Sequence, residues 1–128
     1  LEQAGIPWST GHVAVGHGTT RGGYTAAARL LTDHPWMTGL VCGNDRMAMG
    51  AYDAIREQGL RVREDVAVIG IDDQELIADQ VHPALTTVAL PFEEMGQVAV
   101  SHLLALMEGE EVPAETLLPG TIIRRSSA

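Results

Sequence analysis

Val66-Ala67-Val68-Ile69-Gly70-Ile71-Asp72-Asp73 is the stretch on which the reading of this chain turns. Val66 to Ile69 are apolar without alternation, which fits a parallel strand buried on both faces. A glycine and two carboxylates close the strand. Outward from it, short apolar runs alternate with longer helical patterns. Upstream, Leu40-Val41-Cys42 predicts a strand, and Asn44 caps a helix that runs to Gln58 and stops at Gly59. Earlier still, Val13-Ala14-Val15 predicts a strand ending in Gly16-His17-Gly18. Thr19 or Thr20 then caps a helix to about Asp33, which His34-Pro35 ends. Downstream, a short polar helix is expected from Gln74 to Gln80, and an extended stretch from Leu85 to Leu90. Pro91 opens the longest helix, stopped by Gly109, and Thr121-Ile122-Ile123 forms a last strand. This alternation predicts an α/β fold, a Rossmann-like parallel sheet flanked by helices.

The chain has 128 residues, 17 acidic and 8 basic, for a formal net charge of −9. Hydrophobic residues make up 45% and charged residues 20%, so the composition is globular rather than disordered. No run approaches the ~18 apolar residues of a membrane span. The single cysteine, Cys42, excludes an internal disulfide. All basic residues are arginine and form no stripe, which disfavours direct DNA binding by this polypeptide. Leu1-Glu2-Gln3-Ala4-Gly5-Ile6-Pro7 reads like a helix end and its glycine stop, as expected of a piece of something longer. The helix from Pro91 is apolar nearly all round, and the sheet offers too little surface to cover it. Such a helix requires burial on more than one side, and isolated it is expected to self-associate.

Ligands of open parallel sheets bind at the carboxyl ends of the strands. Three polar clusters are expected on that rim: Gly16 to Arg21, Asn44-Asp45-Arg46, and Asp72-Asp73-Gln74. The Gly16-His17-Gly18 turn departs from both phosphate-binding fingerprints, because Arg21 fills the third glycine position and no Gly-Lys-Ser/Thr follows. A tight turn eased by glycines is the alternative. Asn44 and Asp45 can cap a helix, contact a ligand, or do both. Adjacent carboxylates at Asp72 and Asp73 diverge, which makes a poor acid/base pair, and no His or Cys lies at metal-ligand spacing. One carboxylate accepting two hydroxyls of a small polyol fits better, the alternative being a solvated turn in which Asp73 caps the next helix. His12, His17, His34, His82 and His102 are scattered and read as non-catalytic. No nucleophile elbow or zinc-protease signature occurs, so no enzyme activity and no cofactor are expected.

Asn44-Asp45-Arg46-Met47-Ala48-Met49-Gly50-Ala51, Glu57-Gln58-Gly59-Leu60 leading into Val66 to Asp73, Pro83-Ala84-Leu85-Thr86-Thr87-Val88, Pro91-Phe92-Glu93-Glu94-Met95-Gly96 and Arg125-Ser126-Ser127 follow one another in an order that closely resembles the C-terminal part of the LacI/GalR family of bacterial transcription regulators. The likeness runs from about residue 13 to 127. It implies a periplasmic-binding-protein-like effector domain of two Rossmann-like subdomains with a small-molecule cleft between them, in a cytoplasmic regulator that acts as a homodimer. It further implies that residues 1–90 form the C-terminal subdomain. Residues 91–119 then cross back to an N-terminal subdomain absent here, and 120–128 are the final strand and tail. DNA contact would come only through an N-terminal headpiece, also absent. Carried across, Asn44 lies where the family places an amide near the effector and Asp72 where a carboxylate binds sugar hydroxyls or a purine base. Gly18 takes a position that often holds an aromatic wall, and Leu90 one that can hold a polar contact. The effector-binding set is therefore Gly18, Asn44, Asp45 and Asp72, and the expected partner is a carbohydrate-like small molecule. A solute-binding protein of a sugar importer shares the implied fold. A nucleotide-dependent enzyme using the Gly16 to Gly23 turn is the reading from a different class.

Overall fold

The computed structural model describes Gly5 and residues 9–128. The helix end expected over residues 1–7 thus lies outside the described residues, Gly5 apart. A 3-10 turn, Thr10–His12, leads through an extended segment to helix α1, Thr20–Asp33. Strand β1 (Gly39–Val41), helix α2 (Asp45–Glu57), strands β2 (Ala67–Ile71) and β3 (Thr86–Ala89), helix α3 (Phe92–Met107) and strand β4 (Thr121–Ile123) follow. Thr19 caps α1 by accepting from the Gly22 amide at 3.0 Å. Asn44 caps α2 by accepting from the Met47 amide at 2.9 Å. Each such cap stabilises a helix by about 1 kcal/mol. Gly59 and Gly109 take left-handed φ values of 74° and 82° just past α2 and α3.

The sheet order is β1-β2-β3-β4. The first three strands are parallel, with Leu40 opposite Val68 and Ile71 opposite Val88. The expected last strand is present but antiparallel, with Val88 opposite Ile122. The C-terminal tail fastens the other end of the β2–β3 seam. Ser127, fully buried, accepts from the Thr86 amide at 2.8 Å and donates to the Val68 carbonyl at 2.6 Å.

The core lies between the sheet and the α1–α2 pair, and joins Leu31, Leu40, Ala48, Tyr52, Ile55, Val68 and Leu85. The two helices touch backbone to backbone. A β-carbon on Gly50 would collide with the Thr20 carbonyl, and one on Gly23 with that of Met47. The burial of β2 differs from expectation: Val68 and Gly70 are enclosed, while Ala67, Ile69 and Ile71 on the opposite face are only partly covered. Among the described residues no helix is packed on that second face. α3 contributes no buried residue, and Phe92, Val100, Leu103, Leu104, Leu106 and Met107 are more than half exposed. Among the described residues nothing covers its apolar surface, which is uncovered as expected from the little sheet available.

Two expected elements do not form. Val13-Ala14-Val15 is not a strand: among the described residues nothing pairs with it, and Val13 and Val15 are exposed. An apolar slot lined by Ala14, Leu40, Val41 and Cys42 separates it from β1. A strand needs a ladder as well as a suitable composition. The polar helix over 74–80 is a run of turns. Its Ala78 and Val81 amides reach the Gln74 and Ile77 carbonyls, but among the described residues these turns are not joined into a continuous i to i−4 series, and the chain folds back so that the Leu85 amide meets the Ala78 carbonyl.

Candidate functional site

Asn44 holds two of the polar clusters together. Its side-chain oxygen caps α2, and its amide nitrogen donates to the Gly18 carbonyl at 3.1 Å. His17 and Gly18 are both left-handed, at φ 52° and 67°. At Gly18 the positive φ favours glycine, and a β-carbon there would lie in ordinary contact with the Asn44 amide nitrogen, at 3.4 Å. Gly16-His17-Gly18 is therefore a tight turn tied to the β1 end.

Asp45 connects this pair to the end of β2. Its side chain is fully buried, where Oδ1 accepts from the Thr87 hydroxyl at 2.6 Å and Oδ2 from the Gln74 amide at 2.7 Å. Burial pushes its pKa up, opposed by these two hydrogen bonds and reinforced by the nearby Asp72 and Asp73 charges. The same burial, with a smaller push from Asp45, raises the Cys42 thiol to about 12. The Gln74 side chain continues the chain of contacts, donating to Asp72 Oδ2 at 3.2 Å. The backbone amide of Asp72 caps the β2–β3 ladder by donating to the Val88 carbonyl at 2.9 Å.

Asp72 and Asp73 both lie at positive φ, 112° and 55°. Non-glycine residues there cost on the order of 1–3 kcal/mol each and persist only where surrounding contacts over-determine them. Asp73 does not cap a helix, as none follows. It pairs instead with Arg125, 2.8 Å away.

Of the residues expected at the site, Gly18, Asn44 and Asp72 lie partly exposed along one edge, linked through Asp45 and Gln74. Asp45 itself is enclosed beneath that edge, with both oxygens occupied by this chain. Thr87 and Gln74 escaped the sequence reading. Thr87 carries a signal only in hindsight, as a hydroxyl in an apolar strand; Gln74 carries none, since its key donor is a backbone amide. The edge can accept and donate hydrogen bonds to a polar small molecule, and it presents no nucleophile paired with a base. Among the described residues no three His, Cys, Asp or Glu side chains cluster to hold a metal ion. Beside the rim, where β3 passes into α3, Leu90, Pro91, Phe92, Glu93, Glu94 and Gln97 line an open groove.

Residues 2–128 match the periplasmic binding protein-like domain. The chain belongs to that family. Its similarity is to LacI-family regulators, as the motif order implies. It is 37% identical over 105 residues to the lactose operon repressor of Escherichia coli (strain K12), covering 82% of this chain and 29% of that protein. It is 38% identical over 130 residues to the HTH-type transcriptional repressor PurR of Yersinia pestis bv. Antiqua, covering 100% and 38%. Among solved structures, the transcriptional regulator CelR–cellobiose complex superposes with a TM-score of 0.90 at 31% identity, over 99% of this chain and 39% of that one. The chain thus spans about a third of the length of the curated relatives it matches. The periplasmic-binding-protein-like fold is the one expected, with a mixed rather than wholly parallel sheet. No helix among the described residues is long and apolar enough to cross a membrane.

Proposed function

We propose that this chain is the effector-sensing part of a bacterial transcription regulator, and that Gly18, Asn44 and Asp72 form one wall of the effector pocket. The observation that carries the proposal is the joined edge, in which Asn44 and Asp72 sit on successive strand ends with Asp45 and Gln74 between them. In this reading Asp45 is the buried support of the wall, and Asp72 is the carboxylate that accepts ligand hydroxyls. A carbohydrate suits such an acceptor, and relatives named for lactose and cellobiose support that class. With Gly18 in place of an aromatic wall, recognition rests on hydrogen bonds rather than stacking.

The opposite wall belongs to a second subdomain, reached by residues 91–119, and the exposed apolar surface of α3 supports that course. Effector binding would favour one angle between subdomains. A dimer would then present its DNA-binding headpieces differently, a population shift set by differential affinity. The test is made on the full-length gene product that contains this chain. A thermal-shift screen of sugars and nucleosides identifies the effector, and Asp72→Ala is then compared with the unaltered protein. Two charge-assisted hydrogen bonds at ~1.5–3 kcal/mol each predict a loss of effector affinity of about a hundredfold or more with operator binding unchanged. An unaltered effector response in Asp72→Ala removes Asp72 from the pocket.

A further inference from the structure

We infer that Arg125 is the positioning residue for Asp72, tying the returning strand β4 to the effector edge. The inference rests on the proposed role of Asp72. Arg125 follows β4 by two residues, and its side chain is 16% exposed. From there it makes two ion pairs and one hydrogen bond on two segments. Nη2 lies 2.8 Å from Asp73 Oδ1, Nε 2.5 Å from Asp79 Oδ1, and Nη1 donates to the Leu85 carbonyl at 3.0 Å. Its backbone amide donates to Thr86 Oγ1 at 3.0 Å. One guanidinium therefore holds both ends of the 73–79 segment against the start of β3.

That segment needs holding. It contains no regular helix, it begins with two left-handed aspartates, and beyond the buried Ala78 its other anchors are single hydrogen bonds, from the Asp73 amide to the Thr87 hydroxyl at 3.4 Å, from Gln74 to Asp45 and from Leu85 to Ala78. Asp72 is itself pinned only through its backbone bond to Val88 and through Gln74. Releasing the neighbouring Asp73 lets the strained pair relax, and the Asp72 carboxylate then loses its fixed direction. Lysine cannot replace this geometry, since one ammonium cannot span two carboxylates and a carbonyl in a fixed fork. Because Arg125 continues from β4, a shift of β4 along β3 changes the clamp at the same moment as it moves the strand.

The experiment is hydrogen–deuterium exchange of the full-length gene product that contains this chain, read separately for residues 71–80 and for α2, in the unaltered protein and in Arg125→Ala, Arg125→Lys and Asp79→Asn. Exchange over 71–80 is expected to quicken at least tenfold in Arg125→Ala, less in Arg125→Lys and least in Asp79→Asn, with α2 unchanged. In the full-length protein, cellobiose affinity is expected to fall about tenfold in Arg125→Ala and partway in Arg125→Lys, although Arg125 is not a ligand contact. Unchanged exchange over 71–80 overturns the inference. An equal rise in α2 also overturns it, because Arg125 would then support the whole fold rather than this segment. If Arg125→Ala does not fold, the Asp79→Asn result decides alone. If the exchange pattern appears but Asp72→Ala leaves cellobiose affinity intact, the clamp stands and the proposed role of Asp72 fails.

Discussion

Thr87→Val removes one hydroxyl and almost nothing else, which makes it the sharpest probe of the buried junction. Thr87 is fully buried opposite Gly70, and its hydroxyl donates to Asp45 Oδ1 at 2.6 Å. Valine keeps the shape, so no cavity opens. The loss is the bond to a carboxylate that water cannot reach, together with the longer bond that the Asp73 amide donates to the same hydroxyl at 3.4 Å, about 1.5–3 kcal/mol at neutral pH. For a chain of this length that lowers Tm by about 5–12 °C. The pH dependence supplies the stricter check. Burial raises the Asp45 pKa above its ordinary 3.8, and the Thr87 bond is one of the terms holding it down. Between 3.8 and the raised value the native state binds more protons than the unfolded one, so this group's contribution to stability declines as pH rises through that window. Without the hydroxyl the native pKa rises further, the window widens, and the decline is larger. The difference between Thr87→Val and the unaltered chain is therefore small below pH 3.8 and grows toward neutrality. Urea unfolding followed at several pH values measures it. A difference under about 0.5 kcal/mol at pH 7, or one that does not vary with pH, refutes the reading of Asp45 as a buried carboxyl that depends on the Thr87 hydroxyl.

Gly50→Ala drives a methyl into the Thr20 carbonyl and must part α1 from α2. A loss of about 1–3 kcal/mol in denaturant unfolding is expected, and an unchanged midpoint would show that the helices can slide apart freely. Cys42 is 7% exposed and its thiol is pushed up to about 12, so a thiol reagent at pH 8 should label it only at the rate of unfolding. Rapid labelling of the folded chain would place Cys42 at an open surface.

What the sequence discloses here follows the range of the interaction. α1 and α2 were legible because Thr19, Asn44 and Gly59 act within a few residues of themselves. β2 and the β3 region were legible because their apolar runs tolerate little else. Val13 to Val15 carried the same signal, but pairing is a property of two segments, and among the described residues the second is lacking. The 74–80 stretch failed for a different reason: its backbone bonds make separate turns, and the chain folds back from Leu85 onto Ala78. At the site, Asn44 and Asp72 could be named because strand ends are generic binding positions. The buried role of Asp45 could not, since it depends on Thr87, 42 residues away. Arg125 appeared in the sequence only as part of a terminal motif, and its pairing with Asp73 and Asp79 emerges only when β4 is laid against β3.

The connections of α3 bear on how such a wall could be controlled. β3 and β4 are neighbours, yet the chain leaves the sheet between them to form a helix with no buried residue. The two links differ. Only Leu90 and Pro91 separate β3 from α3, whereas residues 108–120 separate α3 from β4. A short link holding a proline transmits displacement, and a long irregular one absorbs it. Motion of whatever body α3 packs on would thus enter the sheet chiefly through β3. There Val88 bonds the Asp72 amide and Thr87 bonds Asp45. On the proposed function, the strand that senses the position of the second subdomain is the strand that supports the effector carboxylate. Coupling between subdomain angle and effector affinity then needs no separate relay.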